Sequence, residues 1–560
     1  MSLALLAVVV LVLLGLGYRL YGGFVSRQYA LNDGAPTPAE RLEDGVDFVP
    51  TRPFYLLGQH FSAIAAAGPI AGPILAAQQF GWLPAVLWIL FGVIFIGAVH
   101  DLSTLVASVR HEGRSIAEVV KSNLGPRSGV AMMAFIWVAL VYVIVAFTDV
   151  TASTFVAGDP ELEGLHFDFN PGGAVAMASM LYLGLSVLMG LVERFLKPPL
   201  WLQTIVFVPA VLGVVFLGTK LSTVVTLSAT TWAVVILVYC FVASLTPVWA
   251  LLQPRGYLGG FVLYLALAIG TVGLFFGGFE VQLPAFKGFE VAGAGGTLFP
   301  FLFVTIACGA CSGFHGLVCS GTTSKQIQKE SHCHPVGYGA MLLEGFVAVI
   351  ALATVMIISS KDLAGKPAGT VYGIGLGRFF AVVLGQEQLP FAITFGAMAF
   401  STFVFDTLDV STRLGRYIVQ ELTGLKGTIG ALAGTLLTVA VPLGFLLVAQ
   451  AGSWKSFWTL FGTSNQLLAA LSLMGVSVWL KRSGKRYWYT AAPMVFVSIV
   501  TLTSLVLQVR DAFFGEKAAT VAQQVNGAVA VLLFVLAASL LTTGAKALLA
   551  SEPPTQMSPA

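Results

Sequence analysis

Charge is what this chain has least of. Only 10% of its 560 residues are Asp, Glu, Lys or Arg and 57% are hydrophobic, whereas soluble domains carry roughly 25% charged residues. With a mean hydropathy of +0.89, it reads as an integral membrane protein. The net charge of +3 is scattered, and no basic run is interleaved with aromatics, which excludes a nucleic-acid binder. Cysteine is scarce as well. Cys240, Cys308, Cys311, Cys319 and Cys333 lie mostly in or beside apolar segments and do not form a secreted disulfide framework. There is no Gly-rich phosphate loop with lysine, no G-x-S-x-G elbow and no HExxH, so ATP drive and hydrolytic chemistry lack support and no cofactor is expected. His315, Cys319, His332, Cys333 and His334 fit no tetrahedral zinc spacing, and a metal site is rejected. The amino-terminal MSLALLAVVVLVLLGLGYRL has no basic residue before its apolar core, so it reads as a retained span.

What is present in quantity is apolar sequence in runs of membrane-crossing length, about fifteen of them. The fold expected is therefore all-α and polytopic. A sixteenth stretch, Tyr372–Leu384, is short and is expected to be re-entrant or a surface helix. The loop with Arg110, Arg114, Lys121 and Arg127 is basic, and Gly158–Pro171, with Asp159, Glu161, Glu163 and Asp168, is acidic. Because cytoplasmic loops retain Lys and Arg, the first is expected inside and the second outside. The amino terminus then lies outside and the carboxyl terminus inside. Arg413 and Arg416 stay inside only if Tyr372–Leu384 does not cross. The longest polar segments are loops, and the tail from Ser551 is expected to be disordered.

Within this background Gly58–Gln79, GQHFSAIAAAGPIAGPILAAQQ, is apolar enough to span but carries two Gly-Pro pairs. Proline removes a donor and clashes with the preceding turn. In lipid such a break is tolerated only where the freed backbone faces protein or a water-filled cavity. Five spans later, a distance that inverts orientation, VASLTPVWALLQPR holds a second interruption at Pro247. Paired interrupted spans in two halves point to a secondary transporter's binding site. The chain divides accordingly into 1–57, an extra helix and loop; 58–219 and 220–411, two five-helix units; 412–546, additional helices; and the tail 547–560.

Polar residues inside spans are the candidates for chemistry. In TIACGACSGFHGLVCSGTTSK, Ser312 and His315 share a helix face, the hydroxyl suited to a cation or a substrate oxygen and the imidazole to a proton. The alternative is that the small residues are packing and His315 bonds a backbone carbonyl. Glu344 lies deep in MLLEGFVAV. Asp149 sits toward one end of an apolar helix. His100 and Asp101 are read as a solvated cap, and His60 as either functional or interfacial. Asp406 and Asp409 share a face with Arg413, an arrangement that is structural or a proton relay. FGTSNQ, Phe461–Gln466, is helix-helix glue or a lining.

Five stretches, GQHFSAIAAAGPIAGPILAAQ, VASLTPVWALLQPRGYL, CGACSGFHGLVCSGTTSKQI, FDTLDVSTRLGRYIVQEL and FGTSNQLLAALSL, occur in order and together resemble the carbon starvation protein A (CstA) family of bacterial inner-membrane transporters. The likeness covers Gly58 through Leu480 and somewhat beyond. It departs from the family pattern at Gln59, where a second histidine is common, and at Ser324, where proline is. The resemblance implies uptake of peptides or pyruvate under nutrient limitation, proton-coupled or, as the alternative, sodium-coupled, in a LeuT-like (APC superfamily) inverted five-plus-five repeat in the inner membrane. On that reading His60, Ala66, Gly68, Pro69, Gly72, Pro73, Ser244, Pro247 and Trp249 bind substrate. Ser312, His315, Glu344, Asp406 and Asp409 couple the ion. The competing classes are a channel or sensor without accumulation and a membrane enzyme.

Overall fold

A backbone in lipid must satisfy its own hydrogen bonds, and a single chain this apolar does so with helices. The computed structural model describes residues 2–45, 47–158, 166–291, 296–363, 365–448, 454–515 and 519–550. Asp159, Glu161 and Glu163 of the acidic segment, and the tail from Ser551, lie outside the described residues. Helix α1 runs Leu3–Tyr29, followed by α2, Pro53–Ile64, and α3, Gly68–Phe80, bent by 47° at their junction. Next come α4, Trp82–Arg110, α5, Pro126–Phe155, α6, Pro171–Leu196, α7, Leu200–Lys220, α8, Ala229–Leu245, and α9, Leu252–Phe276. A second interrupted segment is α10, Leu298–Thr305, with α11, Gly313–Gly321. After it follow α12, Glu330–Met356, α13, Ala368–Leu384, and α14, Leu389–Thr423. The last four are α15, Gly427–Val448, α16, Trp454–Arg482, α17, Trp488–Phe513, and α18, Val521–Leu549. Among the described residues the strands are a two-residue pair, Glu290 opposite Thr297 and Val291 opposite Gly296.

Among the described residues eleven helices are long and apolar enough to cross a membrane, twelve with the bent α2–α3 pair. Three expected spans fall outside that number: α8, which has 17 residues, the split α10–α11, and α16, whose FGTSNQ stretch makes it more polar than the others. The chain is a multi-pass membrane protein.

The interrupted segments are central. Helix α3 packs on α12 and on α10, while α11 packs on α4 and α16. Helices α4 and α12 each contain a π-helical turn, Val93–Gly97 and His334–Gly339. Around this core, α5 and α14 form a wall, with α6 to α9 and α15 outside it.

Three expectations are corrected here. Tyr372–Leu384 is not a surface helix: α13 is buried from Ala368 to Ala381 except at Arg378, which donates to the Ile357 carbonyl, and runs antiparallel to α14 with its glycines Gly373 and Gly377 against Ala397 and Ile393. His100 and Asp101 are not a solvated cap. Leu102, Leu105, Val106 and Val109 carry α4 two turns further, to Arg110, and both residues are fully buried. The direct ion-pair partner of Asp409 is Arg255, with Arg413 standing near it, and Arg413 and Arg416 are not loop charges. Both lie within α14 and donate to the last carbonyls of α8, Arg413 to Ala243 and Thr246 (both 2.9 Å) and Arg416 to Ser244 (2.6 Å). They satisfy acceptors that a helix end leaves without partners.

Candidate functional site

The α2–α3 break follows directly from sequence. Ala65 has ψ of 50°, outside the helical range, and α3 restarts at Gly68 with Pro69 in its first turn, where the missing N–H is harmless. No side chain caps this start. The backbone crosses the second break at close range. A Cβ on Gly72 would lie 2.7 Å from the Thr305 carbonyl oxygen, and one on Gly68 would overlap Cys308. Only glycine permits that approach.

The second break, residues 306–312, is held by α16 and α4. Asn465 Oδ1 accepts the Phe314 N–H (2.9 Å), and Asn465 Nδ2 donates to Ser312 Oγ (3.0 Å) and Cys308 Sγ (3.2 Å). The end of α10 is capped in turn. Trp458 Nε1 donates to Thr305 (3.1 Å), Gln466 Nε2 to Phe303 (2.9 Å) and Trp88 Nε1 to Ile306 (3.2 Å). FGTSNQ is therefore the brace of this break. Ser312 spends its hydroxyl on Asn465.

Between the breaks lies a small cavity lined by Ile64, Ala66, Gly68, Pro69, Val143, Phe147, Cys308, Phe314, His315, Thr407 and Phe461. Its free space holds about one water. Two ionisable side chains, His315 and the Cys308 thiol, stand in this lining. His315 Nδ1 is 2.9 Å from Asp101 Oδ2, and its Nε2 is 3.2 Å from Glu344 Oε2. Asp101 Oδ1 lies 2.7 Å from His100 Nδ1. All four side chains are essentially inaccessible, and both Glu344 carboxylate oxygens and His100 Nε2 have no hydrogen-bond partner among the described residues, so Glu344 faces His315 as a charge-pair neighbour. The two carboxylates come from α4 and α12, the helices that follow the two breaks. Because an imidazole can donate from both nitrogens only when protonated, a His315 flanked by carboxylates on both sides is a place where a proton can be held.

The structure thus brings Ala66, Gly68, Pro69, His315 and Glu344 together. It places the other candidates elsewhere. His60 is buried in α2 but turns from the cavity, its Nδ1 2.9 Å from Thr323 Oγ1 and its Nε2 3.8 Å from Cys319 Sγ. Gly72 and Pro73 pack within α3, and Ser312 belongs to the Asn465 brace. Ser244 meets Thr435 (3.2 Å). Pro247 is exposed, and Trp249 is 36% exposed, 5.6 Å beneath the Arg194 guanidinium. The second break predicted at Pro247 is a peripheral turn against Gly190 of α6. The break that meets α2–α3 is the one in α10–α11. Asp149 is buried near the end of α5.

Asp406 and Asp409 form a second cluster around a residue the sequence reading missed. Arg255 of α9 reaches Asp406 Oδ1 with Nη2 (2.7 Å) and Asp409 Oδ2 with Nη1 (2.8 Å). The Tyr239 hydroxyl donates to Asp409 Oδ2 (2.8 Å), and the Tyr182 hydroxyl to the Arg255 carbonyl (2.9 Å). A signal was available: Arg255 is the sole charged residue between Ala229 and Phe276.

Comparison with known proteins places this architecture. The family model described as carbon starvation protein CstA matches residues 1–372 and 363–504. A peptide transporter CstA of Bacillus subtilis (strain 168) is 34% identical, with 95% of each chain covered. A peptide transporter CstA of Campylobacter jejuni is also 34% identical, over 91% of this chain and 81% of the relative. A pyruvate/proton symporter, BtsT of Escherichia coli (strain K12), is 31% identical over 88% and 79%. These relatives are transporters and not enzymes. With residues 1–504 matched by one model and relatives aligned over nearly its full length, the chain belongs to the carbon starvation protein CstA family.

Proposed function

We propose that the protein is a proton-coupled importer of a small monocarboxylate such as pyruvate, working by alternating access around the crossing of α2–α3 and α10–α11. The observation that carries this reading is His315, whose two ring nitrogens face buried carboxylates from α4 and α12 while the ring itself borders the cavity. Taking up one proton changes the trio's charge beside the bound anion, which links cargo to proton. The uncapped start of α3 offers the positive end of a helix dipole to a carboxylate. A sodium route has less support, because Ser312 is committed to Asn465.

Among the two cargo classes named for the relatives, the lining favours the keto acid. A dipeptide brings an ammonium that needs an acidic partner. The carboxylates here stand behind His315, and Phe147, Phe314 and Phe461 form apolar walls. A compact anion needs only the imidazolium and backbone donors.

We also read the fold as two inverted units that open at α2–α3 and at α10–α11 rather than at residue 220. Supporting this, the two interrupted segments stand seven crossings apart, an odd number. Each unit's second helix contributes one carboxylate to His315, and α3 packs on α12 as α11 packs on α4. In this reading α13 is re-entrant and the crossings number about fifteen. Arg110 and Lys485 both donate to the Tyr29 carbonyl, so α4 and α16 end on one face, which this model treats as cytoplasmic. Counting back from α16 brings α13 in and out on the other face.

The test is uptake of labelled pyruvate and a labelled dipeptide into proteoliposomes under imposed proton or sodium gradients. Pyruvate accumulation driven by the pH gradient, abolished in His315→Ala protein that still elutes as a monodisperse species, is the expected result. Gradient-driven uptake retained by His315→Ala, or uptake driven by sodium alone, overturns the proposal.

A further inference from the structure

Arg255, Asp406 and Asp409 lie in the membrane-spanning region and outside the His315 cavity. One guanidinium there faces two carboxylates. Arg255 and Asp409 are 0% and 2% exposed, and the Asp406 side chain is 23% exposed. The two acids are not equivalent. Asp409 is held by Arg255 Nη1 and the Tyr239 hydroxyl, with Arg413 of the same helix and Cys240 of α8 also facing it. Asp406 faces one cation, Arg255, together with Asp409 itself and the Tyr182 hydroxyl of α6. With Arg413 counted the four charges balance, but Asp409 has two cations near it while Asp406 shares a single one, so Asp406 is the less compensated acid and the partly exposed one. Asp409 Oδ1 and Arg255 Nε are buried without hydrogen-bond partners among the described residues, so this network has unspent capacity for polar contacts.

A largely buried carboxylate that shares its one cation with a second acid is stabilised by a further cation. A metal ion is a poor fit here, because the guanidinium already occupies the space between both carboxylates. A proton needs no coordination shell. We propose that Asp406 is a second proton-carrying site of the transport cycle, distinct from His315. In the step, a proton from solvent bonds to a carboxylate oxygen of Asp406, leaving Arg255 paired with Asp409 as a neutral set. The charge-assisted tie from α14 to α9 weakens as a result. Thr407, the next residue of α14, lines the cavity, so the same helix carries this change to the cargo.

This inference rests on proton-coupled transport of a monoanion. One proton with one pyruvate is electroneutral, whereas two protons carry a net positive charge inward. The experiment measures labelled pyruvate uptake into proteoliposomes at a fixed pH gradient, with and without a valinomycin-imposed potassium potential, negative inside. Wild-type uptake should rise with the potential. Asp406→Asn, nearly the same shape as the protonated acid, should keep pH-driven uptake and lose the response to potential. At a pH gradient of about one unit, its accumulation limit should fall about tenfold relative to wild type at zero potential. Wild-type uptake indifferent to potential overturns the second site whether or not the variant folds. So does an Asp406→Asn protein that responds as wild type does. Absence of any pyruvate uptake by wild type would instead remove the reading on which this one rests.

Discussion

The crossing of the two breaks can be tested by adding a single methyl group. Gly68 starts α3 against Cys308, and a Cβ built there would overlap Cys308 Sγ and lie 2.6 Å from Cys308 Cβ. Side-chain carbons do not approach so closely, so Gly68→Ala must push one broken segment off the other. Forcing an extra methyl into packed protein costs about 1–3 kcal/mol, and here the displaced element is the cavity wall itself. Thermal unfolding in detergent should show the loss, and the initial rate of pyruvate uptake should fall with it. Cys308→Gly removes both offending atoms and should restore Gly68→Ala protein, whereas Cys308→Ala keeps the Cβ and should restore little. The double-mutant cycle between Gly68→Ala and Cys308→Gly should therefore give a coupling of about 1–3 kcal/mol, in the range found for contacting residues. Additivity within about 0.5 kcal/mol, or an unperturbed Gly68→Ala protein, would refute the close crossing.

Two further predictions concern the braces. Asn465→Ala removes the acceptor for the Phe314 N–H and should cost about 0.5–2 kcal/mol, the usual loss for a helix cap. Asn465→Asp, which keeps the acceptor, should retain more of the stability, and equal melting of the two variants would count against the capping role. Arg255→Met removes the cation that both acids share and should destabilise by about 3–5 kcal/mol. Adding Asp406→Asn and Asp409→Asn should recover part of this loss, and a chemical-denaturation series with no recovery would show that charge is not what Arg255 supplies.

Composition and periodicity alone made this a helical membrane protein, because 57% hydrophobic residues in long runs leave the backbone no other way to satisfy itself. The Gly-Pro pairs located the first break for a local reason, the missing donor at Pro69. The depth of Glu344 and His315 was legible as well, since each is an ionisable residue inside an apolar run. What the sequence could not rank was which second break meets the first. Pro247 is the stronger local signal, yet it ends as a turn beside Trp249, while CGACSG, with no proline, becomes the interrupted helix. Its irregular backbone persists because Asn465, Gln466, Trp458 and Trp88, from helices remote in the chain, take up its free groups. Partnership was hidden for the same reason. Asp101 reads as a helix-end residue until α11 brings His315 to it, and Asp409 reads as the partner of Arg413 until α9 supplies Arg255. Local chemistry named the groups that can break a helix or carry charge, and only tertiary packing, which sets distances between residues hundreds of positions apart, decided which of them meet.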